Sequence, residues 1–142
     1  MAHGKNTVFK VDDSGGTLRD LSAYCDNVDF PRDQSSGEST GFAPTSGSRT
    51  YEVGLNGATI SIAGKWTSAA NAVDVVLAGL INPTAGASST FEYGPEGGTS
   101  GKIRYTGECF LTQYQSSSPL DGVVTFSAQF QVTGAVTRNT FP

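Results

Sequence analysis

The sequence predicts a mainly β fold, with antiparallel strands and one flanking α-helix, and three observations support this. Gly, Ser and Thr make up about a third of the 142 residues, which is typical of strands joined by tight turns. Charged residues are only 15%, fewer than a helical bundle uses. The final part of the chain alternates apolar and polar residues over two long runs. The length predicts a single domain over residues 1–142.

The first quarter of the chain is predicted to hold short elements. Residues 7–11 (TVFKV) read as a strand that ends at the turn cluster 12–16. Apolar side chains recur at helical spacing over residues 17–25 and predict one or two helical turns. Residues 27–33 alternate again, and Pro31 restricts them to an edge strand or a bulge because proline cannot donate a ladder hydrogen bond.

The next segment is predicted to be a loop followed by a strand. Residues 34–49 (QSSGESTGFAPTSGSR) are polar, rich in Gly and Ser, and without period, so they predict a long projecting loop. A strand resumes at residues 50–54 and then alternates as a half-buried strand. Its inward-facing residues are Ala58, Ile60, Ile62, Gly64 and Trp66.

One helix is predicted, capped by the side-chain oxygen of Thr67 or Ser68 and ending at about Ile81, before Asn82-Pro83. Its apolar stripe, which packs on the sheet, consists of Ala69, Val73, Val76, Leu77 and Leu80. Val75 and Ile81 lie off this stripe. A second apolar flank on a surface helix indicates contact with a partner.

The last segment predicts a long hairpin. Residues 102–113 alternate, a turn follows at 117–122, and residues 124–136 place apolar side chains inward. The opposite side is an uncharged polar face of Thr125, Ser127, Gln129, Gln131 and Thr133. A strand of about fifteen residues spans roughly 50 Å, more than the diameter of a compact domain of this size. The hairpin must therefore curve or project, and its weakly charged edges favour covering by another chain.

Charge and hydropathy exclude several classes of protein. The net charge is −4, and six acids against two bases lie between Asp12 and Asp33. No run of Lys or Arg occurs, which disfavours tight binding of nucleic acid phosphates. The start of the chain lacks an apolar signal segment, and the longest apolar run, residues 75–81, is far below a membrane span. We expect a soluble protein made in the cytoplasm, without a membrane partner.

Catalytic chemistry finds little support in the residues. The single histidine, His3, lies near the terminus, so a nucleophile such as Ser or Cys has no histidine base beside it. Acidic residues that could share a sheet surface are Asp29, Asp33, Glu52 and Glu108. A pair of them could serve a glycosidase, but nothing fixes their separation, and solvated strand faces are the simpler interpretation. No cofactor or metal motif is present in the sequence.

Two further residue groups have simple structural explanations. Trp66 and the tyrosines could form a sugar-stacking platform, but aromatics on alternating strands are more often core or cross-strand pairs. Cys25 and Cys109 allow only one bridge and form no metal or redox motif. We expect two reduced and partly buried thiols.

The order of segments resembles tail tube proteins (major tail proteins) of long-tailed bacteriophages. The resemblance covers nearly the whole chain, and its segments are LSAYCDNVDFPRD, SRTYEVGLNGATISIAGKW, ANAVDVVLAGLI and GKIRYTGECFLTQYQSSSPLDGVVTFSAQFQVTGAVTR. It implies an antiparallel β-sandwich or split barrel that assembles into a ring-shaped β-barrel. Hexameric rings would stack into a tube that conducts DNA during ejection.

The same resemblance implies partners and a location. A tape measure protein and a tail terminator would contact the tube, and DNA would pass through without specific binding. The protein would belong to the virion tail, assembled in the host cytoplasm, and would be neither an enzyme nor dependent on a cofactor.

Residues can be assigned to these roles as expectations. Lumen candidates are the polar face listed above together with Asp29, Asp33, Glu52 and Glu108; subunit-contact candidates are Ser36, Phe42, Val75 and Ile81. The resemblance also implies a lumen lined by acidic and neutral polar side chains. Lys102 and Arg104 share a face with Glu108, and if that face lines the lumen, its wall is less acidic than this pattern. A carbohydrate- or receptor-binding β-sandwich module remains the alternative, and an enzyme would require converging carboxylates.

Overall fold

The computed structural model describes residues 2–42, 47–81 and 88–142. Within these residues the chain is mostly antiparallel strand, as the sequence predicts. The strands are β1 (Val8–Asp12), β2 (Leu18–Asp20), β3 (Cys25–Asp29), β4 (Arg32–Glu38), β5 (Tyr51–Lys65), β6 (Ser89–Gly94), β7 (Ile103–Ser117) and β8 (Thr125–Thr140). The helix is α1 (Val73–Gly79), and a short 3-10 turn covers Gly4–Asn6.

The strands form one curled sheet in the order β2-β1-β6-β7-β8-β5-β3, with β4 paired to the first half of β5. Every pairing is antiparallel. Phe9 on β1 packs against Phe130 on β8 with ring centroids 6.1 Å apart, although two strands separate them in the sheet. Phe30, just after β3, reaches Phe91 on β6 at 5.8 Å. The sheet therefore wraps into a half-barrel around its apolar side.

The core lies inside this curl and follows the predicted alternation. Every second residue is buried in the second half of β5 and the first half of β8, and the buried apolar set is Ala58, Ile60, Ile62, Phe126, Ala128, Phe130 and Val132. Burying a large apolar side chain contributes about 1.5–3 kcal/mol before conformational entropy is counted. Gly64 continues this row of inward-facing residues. A side chain does not fit there, because a Cβ would overlap the carbonyl oxygen of Tyr24.

The predicted long hairpin is present, with 15 residues in β7 and 16 in β8. Two register shifts interrupt it, one between Thr106 and Glu108 and one between Leu111 and Gln113. At the first shift β8 carries extra residues around Gly134, whose φ of +80° is accessible to glycine at no steric cost. Such bulges bend a strand, which explains how so long a hairpin curls with the sheet.

The helix is shorter than predicted. It begins after Ala72, which makes no side-chain cap hydrogen bond, so the expected cap at Thr67 or Ser68 was wrong. Asn71 adopts a left-handed backbone conformation (φ +59°), which interrupts any helix that starts earlier. The stripe residues Val73, Val76, Leu77 and Leu80 are buried as predicted, whereas Ala69 is exposed. Asn82-Pro83 lies outside the described residues.

Two other predictions are corrected. Of the one or two helical turns expected over residues 17–25, one is present, closed by hydrogen bonds from Tyr24 N and Cys25 N to Leu21 O, and Leu18–Asp20 is instead the short strand β2. Asp13 causes this, because its side chain accepts hydrogen bonds from Thr17 and Arg19 and so holds β2 against β1. The loop expected over residues 34–49 is strand β4 as far as Glu38. Its pairing partner is residues 51–58 of β5.

Candidate assembly surface

The outer side of the curled sheet carries the polar face that the sequence predicts. On β8 the even-numbered residues from 126 to 132 are buried in the core, so the residues between them point away from it. These outward-facing residues are Thr125, Ser127, Gln129, Gln131 and Thr133. Cross-strand register extends this face over four strands. One row runs from Asp29 on β3 through Ser61 on β5 and Gln129 on β8 to Gln113 on β7. We use the name polar face for residues 125–133 of β8 and their outward-facing neighbours on β3, β5 and β7.

Two basic side chains on the outer side of the sheet, Lys65 and Arg104, are partnered by acids. Lys65 Nζ lies 3.2 Å from Asp26 Oδ2. Arg104 Nη1 lies 3.1 Å from Glu92 Oε1, and Arg104 Nε donates to Asn139. The positive charge of Arg104, which disagreed with the weakly acidic wall that the resemblance implies, is therefore neutralised by Glu92. A phosphate approaching the polar face meets uncharged Thr, Ser and Gln side chains, the carboxylate of Asp29, and Lys65, which is ion-paired.

The four carboxylates proposed from the sequence lie on four different strands. Asp29 is on the polar face, and Asp33 is opposite Gly57 at the root of β4. Glu52 is opposite Gly37, far along β4 and β5. Glu108 accepts hydrogen bonds from Thr90 and Ser88. The structure thus spreads these acids over the sheet, which does not favour the glycosidase interpretation.

Asp12 joins Glu108 through a shared neighbour, and the sequence analysis missed it. The backbone N–H of Thr90 donates to Asp12 while its hydroxyl donates to Glu108 at 2.7 Å. Partial burial raises the pKa of Asp12, the Thr90 hydrogen bond opposes this, and the Glu108 charge adds to the rise. Among the described residues, no group of three or more His, Cys, Asp or Glu side chains could hold a metal ion.

A second exposed surface is the hairpin formed by β4 and residues 51–57 of β5, which we call the arm. All its residues are exposed, including the apolar side chains of Tyr51, Val53 and Leu55. Ser36 lies in the middle of β4, and Phe42, beyond the end of β4, is fully exposed. Exposed apolar side chains in such numbers are typical of an interaction surface.

The helix presents the remaining two contact candidates. Val75 is 51% exposed and Ile81 is 43% exposed, on the side away from the core.

A chain of hydrogen bonds fixes the helix: Trp66 Nε1 donates to the Tyr114 hydroxyl at 2.9 Å, and that hydroxyl donates to Asp74 at 3.0 Å. Partial burial and the bond to Asp74 raise the pKa of Tyr114 to about 12.

The aromatic residues form no exposed platform. Tyr93 and Tyr105 stack inside the half-barrel against Phe30, and the Arg32 guanidinium lies 4.7 Å above the Tyr105 ring. Trp66 is bound to Tyr114 as described. Aromatic residues in these positions serve packing, and they do not favour a sugar-binding module.

The cysteines are both free thiols, as predicted. Burial is the main cause that raises the pKa of each to about 12.

The sequence analysis missed one exposed apolar pair at the β7–β8 turn. Leu120 is 98% exposed and Val123 is 65% exposed. The segment SSSPLDGVV held the signal, because apolar residues inside a turn have no core to contact. We call the end of the arm at Glu38 and Tyr51 the arm tip. This turn and the arm tip lie at opposite ends of the sheet, since Tyr51 is the first residue of β5 whereas its last residue, Lys65, is opposite Thr125.

No helix within the described ranges is long and apolar enough to cross a membrane.

Comparison with known proteins identifies a family and a fold. The family model described as phage tail tube protein matches residues 1–138. Among solved structures, the tail of an empty gene transfer agent particle, refined with C6 symmetry, has a TM-score of 0.80 at 17% identity and covers 99% of this chain and 100% of that one. The SPP1 tail tube has a TM-score of 0.67 at 16% identity, with coverage of 99% and 80%. An anti-feeding prophage baseplate chain has a TM-score of 0.73 at 5% identity, with coverage of 99% and 96%. No curated protein sequence matches the chain.

Proposed function

The chain belongs to the phage tail tube protein family and is a structural subunit of a tail tube; from that premise we propose that it forms hexameric rings that stack into a DNA conduit. The family match over residues 1–138 is the observation that carries this proposal. The gene transfer agent tail that shares the fold is described with C6 symmetry, which supports six subunits in each ring. The free strand edges of the sheet support closure by neighbouring copies.

Assembly can be tested on the purified protein. Light scattering across a concentration series should reveal rings or tubes, either spontaneously or when tail tips are added as seeds. A strict monomer at millimolar concentration that also fails to join any tail would contradict the proposal.

The polar face is proposed to line the lumen. Its Thr, Ser and Gln side chains carry no charge, and Lys65 beside them is ion-paired to Asp26. A wall without free cations releases few counterions from DNA and therefore holds it weakly. DNA would pass along such a wall without specific binding. Of the four acids, Asp29 is placed best for this role, because it shares a row with Ser61 and Gln129.

Charge substitutions on β8 test the lumen assignment. Gln129→Lys with Ser127→Lys should leave tubes intact but slow DNA ejection, most strongly at low salt, because each ring repeats the added charges. Gln131 is a poorer choice because its amide donates to Ala58 O. Gln129→Glu with Ser127→Glu is the matched control, which should not slow ejection. Unchanged ejection in well-formed Lys-variant tails would remove the lumen assignment and leave the tube function standing.

The arm tip, with the residues just beyond it, and the exposed side of the helix are proposed as contacts between subunits. Ser36 and Phe42 belong to the arm side, and Val75 and Ile81 belong to the helix side. Phe42→Ser should weaken stacking of rings without affecting the fold, because the side chain touches no core residue and is fully exposed. Normal tube lengths by electron microscopy would argue against a stacking role for Phe42.

The remaining proposals are supported by membership of the family. We propose a non-enzymatic protein without a cofactor, contacting a tape measure protein inside the tube and a tail terminator at its end. Assembly would take place in the host cytoplasm before the tail joins the virion. Co-purification of the tube with those two tail components from infected cells tests these partners.

A further inference from the structure

An Asn or Asp residue that precedes Gly can react with its own main chain, and the sequence has two such pairs, Asn56-Gly57 and Asp121-Gly122. The backbone nitrogen of the glycine attacks the side-chain carbonyl carbon and closes a five-membered succinimide ring. Glycine favours this step because it has no side chain to hinder the approach. The reaction therefore depends on whether the glycine N–H is free and whether the backbone around it can rotate into the ring-closing geometry.

The conversion needs no reagent except water. At Asp121 a bond forms between the Gly122 nitrogen and Cγ, and the N–H proton leaves with the carboxyl OH as water. Water then adds to the main-chain carbonyl carbon of the ring and breaks its bond to the Gly122 nitrogen. The product is isoaspartate, in which the main chain runs through the side-chain carbons and the former main-chain carbonyl is a free carboxylate. At Asn56 the leaving group is ammonia, and the product is Asp or isoaspartate.

The intrinsic order of the two pairs favours Asn56. An ionised carboxylate is a poorer electrophile than an amide, so Asn-Gly reacts faster than Asp-Gly in an unfolded chain. Both pairs lie on the surface, because Asn56, Gly57, Asp121 and Gly122 are all exposed. Exposure therefore does not distinguish the two pairs, but their backbone hydrogen bonding does.

Strand pairing holds the backbone of the Asn56-Gly57 pair. Gly57 is opposite Asp33 in the β4–β5 ladder, and Thr59 N donates to Pro31 O at the start of the same ladder. Alternate residues of an antiparallel strand direct their backbone groups to the same neighbour, so the Gly57 N–H is directed at Asp33 O. The attacking nitrogen is thus turned toward β4 and away from the Asn56 side chain.

This part of the ladder is anchored in the core. Ala58, next to Gly57, is 4% exposed. Its partner Arg32 lies with its central guanidinium carbon 4.7 Å from the centre of the Tyr105 ring. Ring closure at Asn56 requires rotation of the extended backbone about the Cα–C bond, which breaks the pairing at Gly57. The reaction at Asn56 therefore requires local opening of the ladder.

The Asp121-Gly122 pair lies in the turn, outside the β7–β8 ladder. The pair that ends this ladder is Ser117 with Thr125, and residues 118–124 connect the two strands. Within the part of the chain that the structure describes, neither the Gly122 N–H nor the Asp121 carboxylate has a hydrogen-bond or ion-pair partner. The backbone can therefore rotate into the ring-closing geometry without breaking a strand pairing.

We propose that the fold reverses the intrinsic order of the two pairs: in the unassembled subunit Asp121 is the main site of spontaneous conversion to isoaspartate, and the β4–β5 ladder protects Asn56. Only the folded subunit is needed for this, whether or not it forms rings. Conversion adds a carbon to the main chain between Leu120 and Val123, the exposed apolar pair of the turn. The modification thus changes the shape of an exposed surface at this end of the sheet.

Incubation of the purified subunit at neutral pH for several weeks tests both sites. The protein is kept dilute enough that light scattering detects no rings, and a parallel sample is unfolded in guanidinium chloride. A protein isoaspartyl methyltransferase, which transfers a methyl group from S-adenosylmethionine to the free carboxylate of isoaspartate, measures the amount of product. Mapping with a protease that cleaves before Asp but not before isoaspartate locates it, and the mass of the Asn56 peptide follows the loss of ammonia.

In the unfolded chain Asn56 should react first. In the folded subunit the rate at Asn56 should fall about a hundredfold or more, because the reaction requires local opening of the ladder. The rate at Asp121 should stay within about threefold of its unfolded value, because no pairing has to open. A folded subunit in which Asn56 still reacts before Asp121, or in which residue 121 gives no isoaspartate, would overturn the proposal.

Asp121→Glu is the matched control variant. It keeps the carboxylate but slows the reaction, because glutamate must close a six-membered ring. Gly122 is less suitable for substitution, since a Cβ there would lie 3.0 Å from Pro119 Cγ and the turn would have to shift. Methylation of the aged, folded subunit should fall to background in Asp121→Glu. Methylation equal to that of the wild type would assign the isoaspartate to another residue and overturn the proposal.

Discussion

The two halves of β5 have similar alternation in sequence and opposite surroundings in the structure. Within residues 58–65, β5 pairs with β8 on one edge and with β3 or the start of β4 on the other, and Ile60 is fully buried. Residues 51–57 are paired with β4 alone, and Leu55 is 89% exposed. The difference shows that one strand has two environments: one half builds the core of its own subunit, and the other leaves its apolar side chains exposed.

The largest expected effect comes from placing a charge in each half. Ile60→Asp buries an uncompensated carboxylate and should abolish folding, since such burial costs several kcal/mol. Leu55→Asp should leave the unfolding free energy within about 0.5 kcal/mol and reduce assembly. Urea denaturation followed by circular dichroism measures both. Equal destabilisation by the two variants would remove the distinction between the halves.

Glycine substitutions test the same contrast through backbone proximity. Gly64→Ala introduces a Cβ that overlaps the carbonyl oxygen of Tyr24, and the strand must shift at a cost of about 3 kcal/mol. Gly57→Ala meets no atom within 4 Å and should be neutral or slightly stabilising. Thermal unfolding of the two variants provides the comparison, and a tolerant Gly64→Ala would show that β3 approaches β5 less closely than described.

Tyrosine substitutions extend the comparison to hydrogen bonding. Tyr114→Phe leaves Trp66 and Asp74 without their shared partner and should cost about 1–2 kcal/mol. Tyr51→Phe, on the exposed arm, should cost nothing measurable. A pair of indistinguishable denaturation curves for Tyr114→Phe and wild type would mean that the hydrogen-bond chain does not hold the helix.

The contribution of Tyr114 to stability should depend on pH in the alkaline range. The folded pKa of Tyr114, about 12, exceeds the usual value of 10.0, so its contribution to stability is complete below pH 10 and is lost as pH rises toward 12. The thiols of Cys25 and Cys109 add a loss of the same sign above pH 9. Stability measured from pH 8 to pH 12 should therefore fall, with a smaller decrease above pH 10 in Tyr114→Phe. A flat profile would contradict these pKa values.

The smallest expected difference concerns ion pairs. Glu92→Gln removes the partner of Arg104 at a half-buried site and should cost about 1 kcal/mol. Glu38→Gln removes the 3.7 Å pair with Arg49 on the arm, where both side chains are largely exposed, and should have no measurable effect. A double-mutant cycle on each pair measures the two coupling energies; a stronger coupling on the arm would reverse the expected order.

Alternation predicted the parts of the fold that have one buried and one solvated face. The inward residues of β8 and of the second half of β5 were identified because apolar and polar residues alternate strictly there. Strand β4 was mistaken for loop because both its faces are exposed, so Gln34–Glu38 shows no apolar period. The helix start was misplaced because sequence periodicity does not reveal the positive φ of Asn71.

The candidate surface was predictable to a similar extent. The polar face could be identified from residues 125–133, but its neighbours depend on register across four strands, which periodicity leaves undetermined. The unpaired edges of β4 and β7 depend on where pairing stops, and backbone groups have no signature in the side-chain pattern. Phe42 and Val75 are exposed apolar residues, but their role as subunit contacts stays a prediction.

Cryo-electron microscopy of tubes grown from the concentrated, purified protein tests both the ring assembly and the position of the polar face. We expect a hollow tube of stacked six-subunit rings, with Thr125, Gln129 and Thr133 on the inner wall and the arm reaching the adjacent ring. A protein that stays monomeric under these conditions and when seeded with tail tips, or a tube with residues 125–133 on its outer surface, would contradict it.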